Sequence, residues 1–462
     1  MAQITINNWQ QGIAPSPLVG FGNMVNVDIH GKKGALQASS RSINEITKAG
    51  GRINWLAQDP DTGNIYALFS DGSLYKRAGS GGSWSEMTGY GTSLDQGNGL
   101  GVFNGYLYKA RNGILDRLNI STFVWSNDWA FFTSQPNITS VTHPMKRGQD
   151  NSLYIGDGKY ISKVDSSGVF SAQALDLPQG YQIKAIDELG RYLAILAKEQ
   201  NASQVAIFPW NRVASSFIDP VFLRETSATS LLSTDNNLLI QAGSQSNVYS
   251  TNLSSYSEAA RIDFIEKISR NPISAGNQTL DQTASELLLA IGSSNGTTTA
   301  IPGVYSIKDG AISIKWLSSE GDEAYLAVSN VMVVSSGEIL IGWTNADAST
   351  TGIDAISDFT DKYRDYSSYV ESALYSVGSS QSPIAFTVMS VYLADNLTVN
   401  DGFKIEYRKS LSDEWTLVAD YDFSTIGGVS EFHFPAAIAG IANIQFKVSV
   451  KDDCKIDKII VT

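Results

Sequence analysis

A repeated element constrains this chain more than any other feature. A turn rich in Gly, Asp or Asn opens onto a short aliphatic or aromatic run, and a second turn leads into a shorter apolar run. Asp61-Thr62-Gly63-Asn64 precedes Ile65-Tyr66-Ala67-Leu68-Phe69, and Ser70-Asp71-Gly72-Ser73 then leads into Leu74-Tyr75. The same order returns at Asn104-Gly105-Tyr106-Leu107-Tyr108, at Asn151-Ser152-Leu153-Tyr154-Ile155 and at Gly190-Arg191-Tyr192-Leu193-Ala194. More divergent copies lie at 238–240, 287–291 and 339–343. Asn-Gly and Asp-Gly supply the positive φ angles of tight hairpin turns, and a continuous apolar run fits a strand buried on both faces. From Ile65 to Ile339 the copies recur about every 46 residues, within the range of four-stranded propeller blades. The expectation is an all-β fold: a β-propeller of about seven blades.

Composition agrees with many short strands. The 462 residues include 40 Gly and 10% aromatics, and charged residues are only 17%, against roughly 25% in an average soluble chain. Lys and Arg number 33 against 46 Asp and Glu, a formal net charge of −13, which disfavours phosphate-backbone contacts and hence specific nucleic-acid binding. A lone cysteine, Cys454, excludes an internal disulfide and a cysteine-cluster zinc site. The opening Met1-Ala2-Gln3-Ile4-Thr5-Ile6 has no basic stretch followed by an apolar one, so no secretory signal is expected. No apolar run reaches the length of a membrane span.

Four regions follow. Residues 1–50 read as an extended N-terminal arm, since Pro15 and Pro17 each bias the preceding residue away from helix. Part of it, near 36–46, is expected to pair with the last blade and close the ring. Residues 51–357 are the propeller, and 358–370 a polar, Tyr-rich connector. Residues 371–462 hold alternating strands at 372–377, 384–393, 403–408, 415–421, 430–434, 444–450 and 456–461. Phe403, Ile405 and Tyr407 face one way and Lys404, Glu406 and Arg408 the other, as in a half-buried antiparallel strand. That region is expected to be a β-sandwich of jelly-roll or immunoglobulin-like kind.

A search for chemistry yields no catalytic, cofactor-binding or metal-binding residues. His30, His143 and His433 are scattered, without metal-ligand spacing or a triad signature. Cys454 reads as a small inert residue. Ser70-Asp71-Gly72 and Asp165-Ser166-Ser167-Gly168 lack the full Ser-x-Asp-x-Gly-x-x-Trp box of sialidase-like propellers and read as hairpin turns. Asp59 and Asp61 have the spacing of calcium ligands but not the rest of the loop. Gly79-Ser80-Gly81-Gly82-Ser83 carries no lysine and precedes no helix, unlike a phosphate loop. Trp84, Trp125, Trp129, Trp210, Trp316 and Trp343 fall near blade strands. They serve either inter-blade packing or a contact surface for protein or sugar.

The two ends carry a resemblance. Ile4-Thr5-Ile6-Asn7-Asn8-Trp9, Gly12-Ile13-Ala14-Pro15-Ser16-Pro17 and Asn26-Val27-Asp28-Ile29 look like the opening of virion structural proteins of tailed bacteriophages. In these a Gly-Ile-x-Pro-Ser segment and an Asn-Val-Asp-Ile strand precede a β-propeller. Glu371-Ser372-Ala373-Leu374-Tyr375, Lys404-Ile405-Glu406-Tyr407-Arg408 and Trp415 resemble the sandwich attached to such propellers. The resemblance implies a non-enzymatic, multi-copy component of the tail (nozzle, hub or tail-associated), made in the host cytoplasm and built into the virion. Its implied partners are other virion structural proteins, at the tail or head-to-tail junction, and further copies of itself in a homo-oligomeric ring. Ile13, Pro15, Pro17, Phe21, Val27 and Ile29 would form the assembly arm. The alternative expectation is a receptor-binding propeller that binds or cleaves host-surface carbohydrate.

Overall fold

In the computed structural model the described residues are 3–7, 9, 21–29, 35–90, 98–111, 113–132, 142–200, 204–243, 246–260, 278–292, 302–316, 327–345, 349–357, 367–379, 382–395, 400–422 and 431–462. They form strands and turns and contain no α-helix. His30, Ile13, Pro15, Pro17 and residues 358–366 of the expected connector lie outside them.

Each of the seven repeated hairpins forms, always as the second and third strands of a four-stranded antiparallel run. Unit one consists of Ile53–Gln58, Ile65–Phe69, Leu74–Arg77 and Trp84–Glu86, and unit two of Gly99–Phe103, Tyr106–Arg111, Ile114–Asn119 and Val124–Phe131. Units three and four begin at Met145–Arg147 and Tyr181–Leu189, and five and six at Ala228–Ser233 and Leu280–Gln282. Unit seven takes Ala327–Val333, Ile339–Thr344 and Thr350–Ile356 from its own stretch of chain and its outer strand, Ile43–Ala49, from the N-terminal region. The first strand of each unit lies against that of the next, and unit seven's against unit one's. That closed circuit is the radial arrangement of a β-propeller.

The second strands explain the uninterrupted apolar runs in the sequence. Leu193, Ile195 and Ala197 point into the core shared with unit three, and Ala194 and Leu196 into the core shared with unit five. Ile65, Ala67 and Phe69 likewise face unit seven, while Tyr66 and Leu68 face unit two. Alternation is present, but both faces are apolar because each sheet lies between two others. At the Asn104-Gly105 turn both residues have positive φ, 51° and 75°, as a primed hairpin requires.

The remaining strands build two sheets around one apolar core. One contains Val27–Asp28, Leu36–Ala38, Lys455–Val461, Ile384–Leu393 and Glu431–Ile441, with Ile4–Ile6 also paired to Lys455–Val461. The other runs Phe21–Val25, Ser368–Ser372, Asn443–Lys451, Gly402–Arg408 and Thr416–Asp422. It continues into unit six, because Val25 pairs with Ile314 and Asn26 N–H donates to the Ile314 carbonyl at 2.8 Å.

Two differences from the sequence reading have simple causes. The ring-closing strand is Ile43–Ala49, whereas Leu36–Ala38 pairs with Val27–Asp28 and the C-terminal strand. Leu36 and Ala38 are fully buried, and Ile43–Ala49 is mostly half-exposed, as suits an outer strand. The strand expected to end at 434 continues as Glu431–Ile441 through Pro435. It is the edge of its sheet and its register shifts near Pro435, so the missing N–H removes no ladder bond.

Candidate functional site

The residues singled out for chemistry are dispersed and committed to structure. His143 is fully buried, stacks on Phe132 with ring centroids 4.4 Å apart, and has Nδ1 2.9 Å from the Gly156 carbonyl. Burial lowers its pKa to about 4, so at neutral pH it is an uncharged ring whose Nδ1–H donates to that carbonyl. His433 is exposed, with Ser390 Oγ at 2.8 Å from Nδ1 and Glu431 at 3.2 Å from Nε2. Cys454 is buried, and desolvation pushes its thiol pKa up, away from the reactive thiolate.

The carboxylate candidates close turns. Asp59 accepts hydrogen bonds from Asp61 N–H at 3.1 Å and from the Thr62 hydroxyl. Asp71 accepts from the Ser73 N–H and hydroxyl and pairs with Lys48, and Asp165 accepts from the Ser167 and Val169 N–H groups. Residues 79–83 connect two strands of unit one. Among the described residues no three His, Cys, Asp or Glu side chains gather as a metal site.

The tryptophans separate cleanly. Trp210, Trp316 and Trp343 are buried. The Trp316 and Trp343 indoles, from units six and seven, both donate to Asp354, at 3.0 and 2.9 Å. Trp84, Trp125 and Trp129 are half-buried, and beside the last two Phe123, Val124 and Phe131 are more than half exposed. Of the expected assembly arm, Phe21, Val27 and Ile29 are buried in the chain's own two-sheet core. Phe21 stacks on Trp9, whose indole donates to the Asp457 carbonyl at 2.8 Å.

One concave site draws on all these regions. At the seam between units six and seven and the two-sheet body lies a cavity of about 400 Å³, towards the small end of the roughly 300–1,000 Å³ of ligand pockets. Ser306 and Lys308 come from one strand of unit six, and Ser313 and Lys315 from its hairpin partner, where Ser306 lies opposite Ser313. Glu286, held in a turn in which its N–H donates to Thr283 Oγ1 at 3.2 Å, pairs with Lys315 and accepts from the Ser306 hydroxyl. Asp28 and Ser39 enter from the N-terminal strands, and Asp28 accepts from Gln37 Nε2 at 2.7 Å. Val27, Ala38, Ile339 and Ile356 supply an apolar wall. The Ser39 side-chain oxygen is buried in this wall without a hydrogen-bond partner, although the residue is 5% exposed.

The parts of this site come from distant segments, so no local stretch of sequence marks it as a whole. A signal was nonetheless present. Ser-Ile-Lys occurs on both sides of Asp309-Gly310, placing Ser and Lys at alternate positions of two strands joined by that turn.

No family model matches the chain, and neither does any curated protein sequence. Among solved structures it is similar to one described as YCF48 bound to D1 peptide, at 13% identity and TM-score 0.49, over 69% of this chain and 97% of that one. It is also similar to the WD40 β-propeller domain of Doa1, at 10% identity and TM-score 0.47, over 69% and 98% of the two chains. The Pan2 WD40 domain of Neurospora crassa follows at 9% and 0.47, over 70% and 98%. At such identities none of their activities transfers. The chain is therefore placed by its own strand order, as an all-β protein of propeller type.

Proposed function

We propose that this chain is a non-enzymatic structural component of a tailed-bacteriophage virion, in the tail or at the head-to-tail junction. In this reading the seven four-stranded units are the blades of one propeller and the two further sheets a β-sandwich. The observation that carries it is mechanical. The N-terminal region supplies strands to both sandwich sheets, and its Ile43–Ala49 strand closes the ring. One sheet runs continuously from sandwich into blade. Strands shared in this way tie the two parts together through backbone hydrogen bonds, which suits a repeated building block. The exposed Val124 and Phe131 on the outer strand of the second blade, with Phe123 in the turn before it, give it an apolar contact surface for neighbouring subunits.

The test is to purify particles from the source that carries the gene and to quantify the chain by mass spectrometry, with native mass spectrometry of the isolated protein. A fixed multiple of copies per particle and a ring-sized oligomer are expected. Absence from purified particles overturns the reading. The carbohydrate alternative is favoured by a different observation, the seam cavity, and is argued next in a narrower form.

A further inference from the structure

We propose that the cavity at the seam of units six and seven and the two-sheet body is a binding site for a small neutral saccharide. The proposal stands apart from the virion reading. Charge narrows the ligand first. Lys308 and Lys315 disfavour a cation, and Asp28 and Glu286 disfavour an anion. Glu286 and Lys315 already neutralise one another, so a charged group placed between them would have to break that ion pair.

What the pair still offers is hydrogen bonding, through the remaining ammonium protons of Lys315 and the lone pairs of Glu286. An acceptor beside a donor suits adjacent hydroxyls on a sugar ring. Ile339 and Ile356 with Val27 add an apolar part to the lining, which suits the C–H face of such a ring. A purely apolar ligand would leave the charged wall desolvated and unmatched.

The second observation is Ser39. The residue lines the cavity, and its hydroxyl is buried beside it without a partner, a cost that a ligand hydroxyl seated against it would remove. The ligand would touch the N-terminal strands and two propeller units at once, so occupancy would tie the two bodies together.

The experiment is saturation-transfer NMR on the full chain with methyl glucoside, methyl galactoside, methyl mannoside and N-acetylglucosamine at up to tens of millimolar. Inorganic phosphate and glycine serve as charged comparisons. Binding of at least one glycoside in the millimolar range is expected, weakened about tenfold in both Ser39→Ala and Glu286→Gln. Ser39→Ala is the variant that keeps the test clean, since deleting an unpartnered hydroxyl leaves the melting temperature unchanged or raised. No transfer to any glycoside overturns the proposal. So does transfer that persists undiminished in both variants, or binding of phosphate or glycine alone.

Discussion

Arg77 has no exposed surface, and both carboxylates at its guanidinium belong to unit seven: Glu45 on the closing strand and Glu338 before the second strand. Trp84 Nε1 donates to the other oxygen of Glu45 at 2.7 Å. Burial raises the Glu45 pKa against the opposing pull of Trp84 and Arg77, so the cation holds two carboxylates in a place that would otherwise reject their charge. Arg77→Met should therefore cost about 3–5 kcal/mol in urea unfolding, the cost of stranding buried charge. Adding Glu45→Gln and Glu338→Gln should recover most of that loss. A second residue sets a pH dependence. Asp281 accepts the Val333 N–H at 2.7 Å across the six–seven interface, and its pKa is raised to about 6, by burial first. Its folded pKa lies above the unfolded value, so the folded state holds the extra proton between about pH 4 and 6. The wild type should then lose stability as pH rises through that window. Asp281→Asn should flatten this part of the melting-temperature profile, and an unchanged slope would refute the assignment.

Among the elements, the hairpins were legible because their causes are local: a Gly-bearing turn, then an apolar run. The first and outer strands were less so. Gly99–Phe103 contains two glycines, and at Gly99 an added Cβ would sit 2.2 Å from the His143 carbonyl oxygen, so packing and not propensity chose the residue. Outer strands such as Phe170–Asp176 are half-exposed and carry little apolar signal. Least legible were the N-terminal strands, whose partners lie at the far end of the chain: Ile4 opposite Val461, and Leu36 opposite Ile456. Nothing local in Ile4-Thr5-Ile6 names that partner, and the seam cavity inherits the same difficulty. The pairing is checkable. Ile6 is 1% exposed in the two-sheet core, so Ile6→Asp should bury an unpaired carboxylate and loosen that body. Hydrogen–deuterium exchange should then accelerate at Ile459, Ile460 and Val461 while units two to four keep their protection. Unchanged exchange at the C-terminal strand would show that the first strand does not hold it.

For the whole molecule, the register places its divisions elsewhere than the linear order of the chain suggests. Cutting after residue 50 separates Ile43–Ala49 from Thr350–Ile356 and removes Glu45 from Arg77. The ring would lose the outer strand of unit seven and expose a new sheet edge, a template for aggregation. A fragment spanning 43–357 keeps both, and although it uncovers the unit-six residues that pack on the two-sheet body, it should melt cooperatively and well above 51–357. The other body behaves in the opposite sense. A fragment of 371–462 lacks Ile4–Ile6, Phe21–Val25, Val27–Asp28 and Leu36–Ala38, and with them Trp9, Phe21 and Met24 of its core. It should not fold alone. Because Ile4 pairs antiparallel with Val461, the two ends of the chain lie side by side. Joining them with a short flexible linker, and opening the chain at the exposed turn of Ser166 and Ser167, should leave every sheet intact. That circular permutant should match the parent in circular dichroism and melt within a few degrees of it. A permutant that fails to fold, beside a 43–357 fragment that folds, would place the error in the two-sheet body and leave the ring standing.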